Sequence, residues 1–191
     1  MKLDTFIIGN LEKNFLRKRN NAMKKSKADL VMILNTDIEV SNVKPTLKLF
    51  EKDDKLFAVT FSPESSQSKI VKNAEFANGG SSIYRRKIWN KIGGIDLMYE
   101  PYWWDDVDYS YQAKKMGYKI LADGRVKVVK KSELGTDILG RKPYSKFIYY
   151  RNHLLFLRKN KPKEFLKKFK KPLYLPLLLL VELRFRKFHN C

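Results

Sequence analysis

The chain has 191 residues, 43% hydrophobic and 13% aromatic, which is enough for one domain with a core and excludes a disordered chain. Its 40 Lys and Arg against 20 Asp and Glu give a net charge of +20, which points to polyanionic partners: nucleic acid, anionic lipid or a phosphorylated substrate. Cys191 is the single cysteine, so no disulfide framework can form, and MKLDTFIIGN has no long apolar signal segment; both fit a reducing, cytoplasmic setting.

In chain order, DTFIIGN predicts a short buried strand closed by a Gly-Asn turn. Phe15, Leu16, Ala22 and Met23 then fall at helical spacing. LVMILNTDIEV is a continuous apolar run that stops at polar residues, as a central parallel strand does. KPTLKLFEKD predicts a helix with Pro45 near its start, and KLFAVTFS a strand. PESSQSKIVKNAEFANGG reads mostly as loop. SSIYRRKIWNKIGG reads as a strand or turn entering a short helix that Gly93-Gly94 ends. DVDYSYQAKKMGY predicts a helix with Asp105 or Asp106 near its N-cap and Gly117 at C′. KILADGRVKVVKK predicts a strand, a turn and a strand. This alternation predicts an α/β fold with a mostly parallel sheet over residues 1–140.

Residues 141–191 form a second unit, a helical extension that is basic and apolar at once. It holds fifteen Lys and Arg against Glu164 and Glu182. Leu173–Leu183 is its most apolar run, about half of the roughly 20 residues that span a bilayer. Two readings stand: a core helix with a solvated basic face, or a segment lying on a membrane surface with its lysines on anionic head groups.

Three constellations carry chemistry. Asn35-Thr36-Asp37 ends an apolar strand at the carboxyl edge of the sheet, where open α/β folds bind ligands. Asp37 with Asn35 is placed to hold Mg²⁺ or Mn²⁺, which take a few carboxylates plus substrate phosphate oxygens; in isolation the simpler reading is a cap. Gly79-Gly80 permits close backbone approach and Arg85-Arg86 offers phosphate ligands, although a plain turn explains this stretch as well. PYWWDDVDYS puts Asp105, Asp106 and Asp108 beside Trp103 and Trp104. One acid of such a pair can position while the other serves as general base, and the indoles can form a platform for a sugar face; an N-cap box with aromatic packing is the alternative.

Taken in order, the N-x-D strand end, GG…RR, GGIDLMYEPYWWDDVDYSYQAKKMGYKI and YYRNHLLFLRK resemble the family 2 glycosyltransferases, in their rhamnosyltransferase-like branch. The similarity covers roughly Phe6 to Lys159, and Gly93 to Ile120 is its specific part. The resemblance implies a GT-A (Rossmann-like) fold and transfer of a hexosyl or rhamnosyl group from a nucleotide-sugar donor to a glycan or lipid-linked acceptor, in cell-wall or polysaccharide synthesis. By position, Asp37 meets the metal and diphosphate with Asn35 beside it, and Gly79 and Gly80 line the cleft. Asp106 is the catalytic base, Asp105 stands for the family's Glu, Asp108 supports the helix start, and Trp103 and Trp104 wall the acceptor side.

Two departures from the family pattern qualify this expectation. The chain starts at what reads as the third strand, without the β-α-β unit that holds the nucleotide base, so an incomplete GT-A sheet is expected. Lys130, Lys131 and Ser132 also stand where the family usually has a metal-ligating His. An inactive scaffold, or half of a split enzyme needing a second copy or a partner chain, is therefore the alternative function. A peripheral place on the inner membrane face is compatible with either. Nucleic-acid binding is disfavoured, because Asp37 and Asp105 to Asp108 would face a phosphate backbone and no nucleic-acid motif is present.

Overall fold

β-Branched and aromatic runs bounded by turn residues set the sheet, and the computed structural model describes residues 1–9, 14–62, 68–131, 143–168 and 175–189. Among the described residues eight strands form: β1 Leu3–Ile7, β2 Leu30–Leu34, β3 Ile38–Ser41, β4 Leu56–Thr60, β5 Val71–Asn73, β6 Ser81–Arg85, β7 Lys119–Asp123 and β8 Lys127–Lys130. The main sheet has the order β1-β2-β6-β4-β7-β5. β1, β2, β4 and β7 run one way, so the sheet is mostly parallel in direction. β6 enters antiparallel between β2 and β4, and β5 is antiparallel on β7.

Three details depart from the sequence-based expectation. β1 is an edge strand rather than a buried one, and Ile7 is exposed. The run LVMILNTDIEV is two strands, because the Asn35 carbonyl accepts the Ile38 N–H at 3.1 Å and turns the chain out of the main sheet. β3 then pairs antiparallel with β8 in a separate two-stranded ribbon. A short strand, β5, also lies inside the segment read as loop.

The helices are α1 Phe15–Lys25, α2 Lys44–Lys52, α3 Arg86–Ile92, α4 Asp105–Lys115, α5 Pro143–Asn160, α6 Pro162–Lys168 and α7 Leu175–His189, with a 3-10 turn at Leu97–Tyr99. Strand alternation sends Val31 and Ile33 to one face and Leu30, Met32 and Leu34 to the other. The first face packs against α1, α3, α4 and the C-terminal helices, and the second against Phe50 of α2 and Val128 of β8. Ile148, Leu154, Leu155 and Leu157 of α5 are buried, the three leucines in the same core as α1 and α4. The expected boundary at 140/141 falls outside the described residues, as do Leu173, Lys170, Lys171 and Ser132. α7 has a buried side and an exposed side. Leu178 and Val181 are buried in the core, whereas Leu179, Leu180 and Leu183 face outward.

Candidate active site

The carboxyl end of β2, the loop before β6 and the start of α4 converge on a cleft of about 360 Å³. Asn35, Asp37, Gly79, Gly80, Trp103, Asp105, Asp106, Arg19 and Lys130 all line it. The Asn35 N–H donates to the Gly80 carbonyl at 2.7 Å, which draws the strand end against the glycine loop. Asn78 shapes that loop: its side chain accepts the Gly80 N–H at 2.9 Å, and its carbonyl accepts Ser82 Oγ and Tyr84 Oη.

Both glycines are there for room. A Cβ on Gly79 would stand 2.8 Å from the Arg19 guanidinium carbon, and one on Gly80 would overlap the Asn35 side-chain amide. Gly80→Ala should therefore lose about 1–3 kcal/mol of stability through overpacking, read as a lowered denaturant midpoint. A midpoint equal to wild type would show that Asn35 moves aside freely.

The acids have separate roles. Asp105, at the first position of α4, is buried and pairs with Arg19 Nη1 at 2.5 Å. Arg19 is itself 1% exposed on α1. Asp106 remains half-buried at the cleft, where its Oδ2 accepts the Gly79 N–H at 3.4 Å and its Oδ1 the Val107 N–H at 2.9 Å. Burial first, and the charge of Asp105 second, push its carboxyl up to about 6; Arg19 and the two N–H groups pull it back. Both acids lie near the N-cap, as expected, at the first two positions of α4; Trp104 is the N-cap residue itself and makes no side-chain cap bond.

Asp108 and Trp104 lie away from the cleft. Asp108 is buried and takes Lys159 Nζ at 2.8 Å and Asn160 Nδ2 at 2.6 Å, fastening α4 to α5. The Trp104 ring stacks on His153 at 4.3 Å and 10°, so of the two tryptophans only Trp103 reaches the cleft. Arg85 and Arg86 spend their guanidinium groups on the carbonyls of Leu56, Phe50 and Asp53 and of Ala28, and neither lines the cleft.

A clamp holds the loop before α4. Asn152 Nδ2 donates to the carbonyls of Tyr99, Tyr102 and Trp103 at 2.6, 2.8 and 3.0 Å. Arg151 and Arg184 both donate to the Glu100 carbonyl, and Arg184 also to Met98. These bonds sustain positive φ at Trp103 and Trp104, 70° and 67°, which bulky residues rarely adopt.

Among the described residues no three His, Cys, Asp or Glu side chains converge as a metal cluster. Asn35 Oδ1 and Asp37 Oδ1 are nevertheless buried acceptors without a hydrogen-bond partner, and both residues line the cleft. One carboxylate oxygen and one amide oxygen fit a hard divalent cation that draws its remaining ligands from water and a diphosphate. Lys130 stands beside them, since β3–β8 pairing sets it opposite Ile38.

Sequence reasoning missed Arg19 and Asn152. Arg19 sits four residues after Phe15 and three before Ala22, so its place on the apolar face of α1 was the available signal. Asn152 lies in the YYRNHLLF segment, but nothing in its spacing shows which carbonyls it meets.

Neither a family model nor a curated protein sequence matches the chain. Its fold is similar to the crystal structure of GalNAc-T7 with UDP, GalNAc and Mn²⁺, at TM-score 0.63 and 15% identity over 94% of this chain and 41% of that one. It is similar also to the mannosyltransferase PcManGT from Pyrobaculum calidifontis in complex with GDP-Man and Mn²⁺, at TM-score 0.50 and 16% identity over 90% of this chain and 49% of that one. The chain thus spans less than half the length of either structure. At these identities the likeness is one of fold, and it is the mixed α/β, GT-A type that the motif order implied.

Proposed function

We propose that the cleft transfers a glycosyl group from a nucleotide-sugar to a hydroxyl of a glycan or lipid-linked acceptor, with inversion at the anomeric carbon. The observation that carries this reading is Asp106, a cleft carboxyl pushed up to about 6 while its neighbour Asp105 is held in an ion pair with Arg19. A base poised near neutral pH suits abstraction of a hydroxyl proton. Asp106 takes that proton as the acceptor oxygen forms its bond to the anomeric carbon. The bond from that carbon to the diphosphate breaks, and its electron pair leaves with the nucleoside diphosphate.

Asn35 and Asp37 would hold Mg²⁺ or Mn²⁺, which when bound supplies positive charge for the leaving diphosphate. Lys130 offers a second positive charge at the same end of the cleft. Trp103 presents an aromatic edge of the cleft for the acceptor. The order of motifs favours a family 2, rhamnosyltransferase-like enzyme within this reading.

The test is calorimetry of UDP and GDP with and without Mn²⁺. Wild type should bind in a metal-dependent way, and Asp37→Ala should weaken that binding by about tenfold or more, equivalent to ~1.4 kcal/mol. Metal-independent binding, or an unaffected Asp37→Ala variant, would remove Asp37 from the donor site.

A further inference from the structure

We propose that the outward faces of α6 and α7 form a docking surface for an anionic lipid bilayer. Both helices pack on α5, and Arg158 lies between them, its guanidinium 5.9 Å from the Phe165 ring and 4.7 Å from the Phe185 ring. Their inner faces are spent on the core: Phe165 of α6 and Leu178 and Val181 of α7 are buried. Their outer faces hold four exposed leucines. Leu166 is 61% exposed, Leu179 58%, Leu180 51% and Leu183 66%. Leu179, Leu180 and Leu183 are spaced one and four residues apart and therefore share one side of α7.

The charges around these leucines select the partner. Lys163, Lys167 and Lys168 of α6 are exposed, as are Arg186 and Lys187 beyond the leucines on α7. The acids of the two helices are already engaged. Glu182 pairs with Arg158 at 2.8 Å and Arg186 at 3.6 Å, and Glu164 with Lys161 at 3.5 Å. Each helix thus carries exposed leucine together with exposed cations, the composition of an element that lies in the head-group boundary. A second copy of the chain is a poorer occupant, because a self-complementary contact would set these cations against one another in a chain of net charge +20. Among the described residues no helix is long and apolar enough to cross a membrane, so the contact is lateral.

Docking would hold a lipid-borne acceptor at the protein surface. That consequence rests on the transferase reading, but the docking itself does not.

Flotation of the whole chain with vesicles tests the inference without any assay of sugar transfer. The vesicles are phosphatidylcholine alone or phosphatidylcholine mixed with phosphatidylglycerol, at low salt. Wild type should float with the anionic vesicles and not with the zwitterionic ones. Leu180→Ser/Leu183→Ser, which keeps every charge and touches only exposed side chains, should keep the wild-type melting temperature and bind about tenfold more weakly. Lys163→Gln/Lys167→Gln should weaken binding too and make it less sensitive to salt. The inference fails if wild type does not float, or if the serine variant floats as wild type does, since charge adhesion alone would then explain binding. It fails equally if the leucines govern self-association instead of flotation.

Discussion

Asp106→Asn should lower the rate of glycosyl transfer by about 10²–10⁴-fold while leaving the fold intact, the usual cost of removing a positioned base. The amide keeps the carboxylate's shape and one acceptor oxygen, which can retain the 2.9 Å bond from the Val107 N–H at the helix start; only the longer 3.4 Å contact from the Gly79 N–H is given up. In wild type the rate should climb as pH rises through about 6, where Asp106 becomes ionised. Stability moves the opposite way. The folded pKa lies above the ordinary carboxyl value of 3.8, so the stabilising preference for the protonated form is complete below 3.8 and is lost as pH rises through about 6. At neutral pH the asparagine variant should be at least as stable as wild type. Product formation measured across pH, with chemical denaturation alongside, checks both halves. Turnover near wild type in the variant would take Asp106 out of the chemistry.

Arg19→Met should cost about 3–5 kcal/mol of stability, the penalty for leaving one member of a buried ion pair alone. Burial opposes the Arg19 charge, but the carboxylates of Asp105 and Asp106 outweigh that and hold the guanidinium more firmly protonated than usual. Without it Asp105 is 4% exposed and unpaired. Because Arg19 also pulls the Asp106 carboxyl down, any folded variant should need a higher pH for its base form. Arg19→Lys should recover part of the stability, since it keeps the charge without the forked geometry. Denaturant midpoints rank the three proteins. A methionine variant as stable as wild type would mean that Asp105 finds water or another donor in its place.

The parts legible in the sequence are those that repeat or punctuate. Strand runs such as LVMIL and LFAVT, the helical spacing of Phe15, Leu16, Ala22 and Met23, and Gly117 after α4 all sit where local chemistry places them. The illegible parts depend on partners distant in the chain. Arg85 and Arg86 look like phosphate ligands until the sheet sets them beside the carbonyls of Phe50, Asp53, Leu56 and Ala28. Three acids in one short stretch look like a single cluster, yet Arg19, Lys159 and Asn160 claim two of them and leave Asp106 at the cleft. The strand end at Asn35-Thr36-Asp37 was legible, but the separate strand Ile38–Ser41 beyond it was not, because its partner, Lys127–Lys130, is distant in the chain.

The hold of Asn152, Arg151 and Arg184 on the Met98–Trp103 carbonyls gives this chain an order of assembly. Every described side chain lining the cleft lies at or before Lys130, but the segment that aims Asp106 is fastened by residues made later. As the chain leaves the ribosome, the sheet and its glycine loop can pair first. The acid-bearing turn reaches its final shape only when α5 and α7 arrive. The final shape of the cleft is therefore a late property of biosynthesis, conferred by helices that contribute no described residue to its wall.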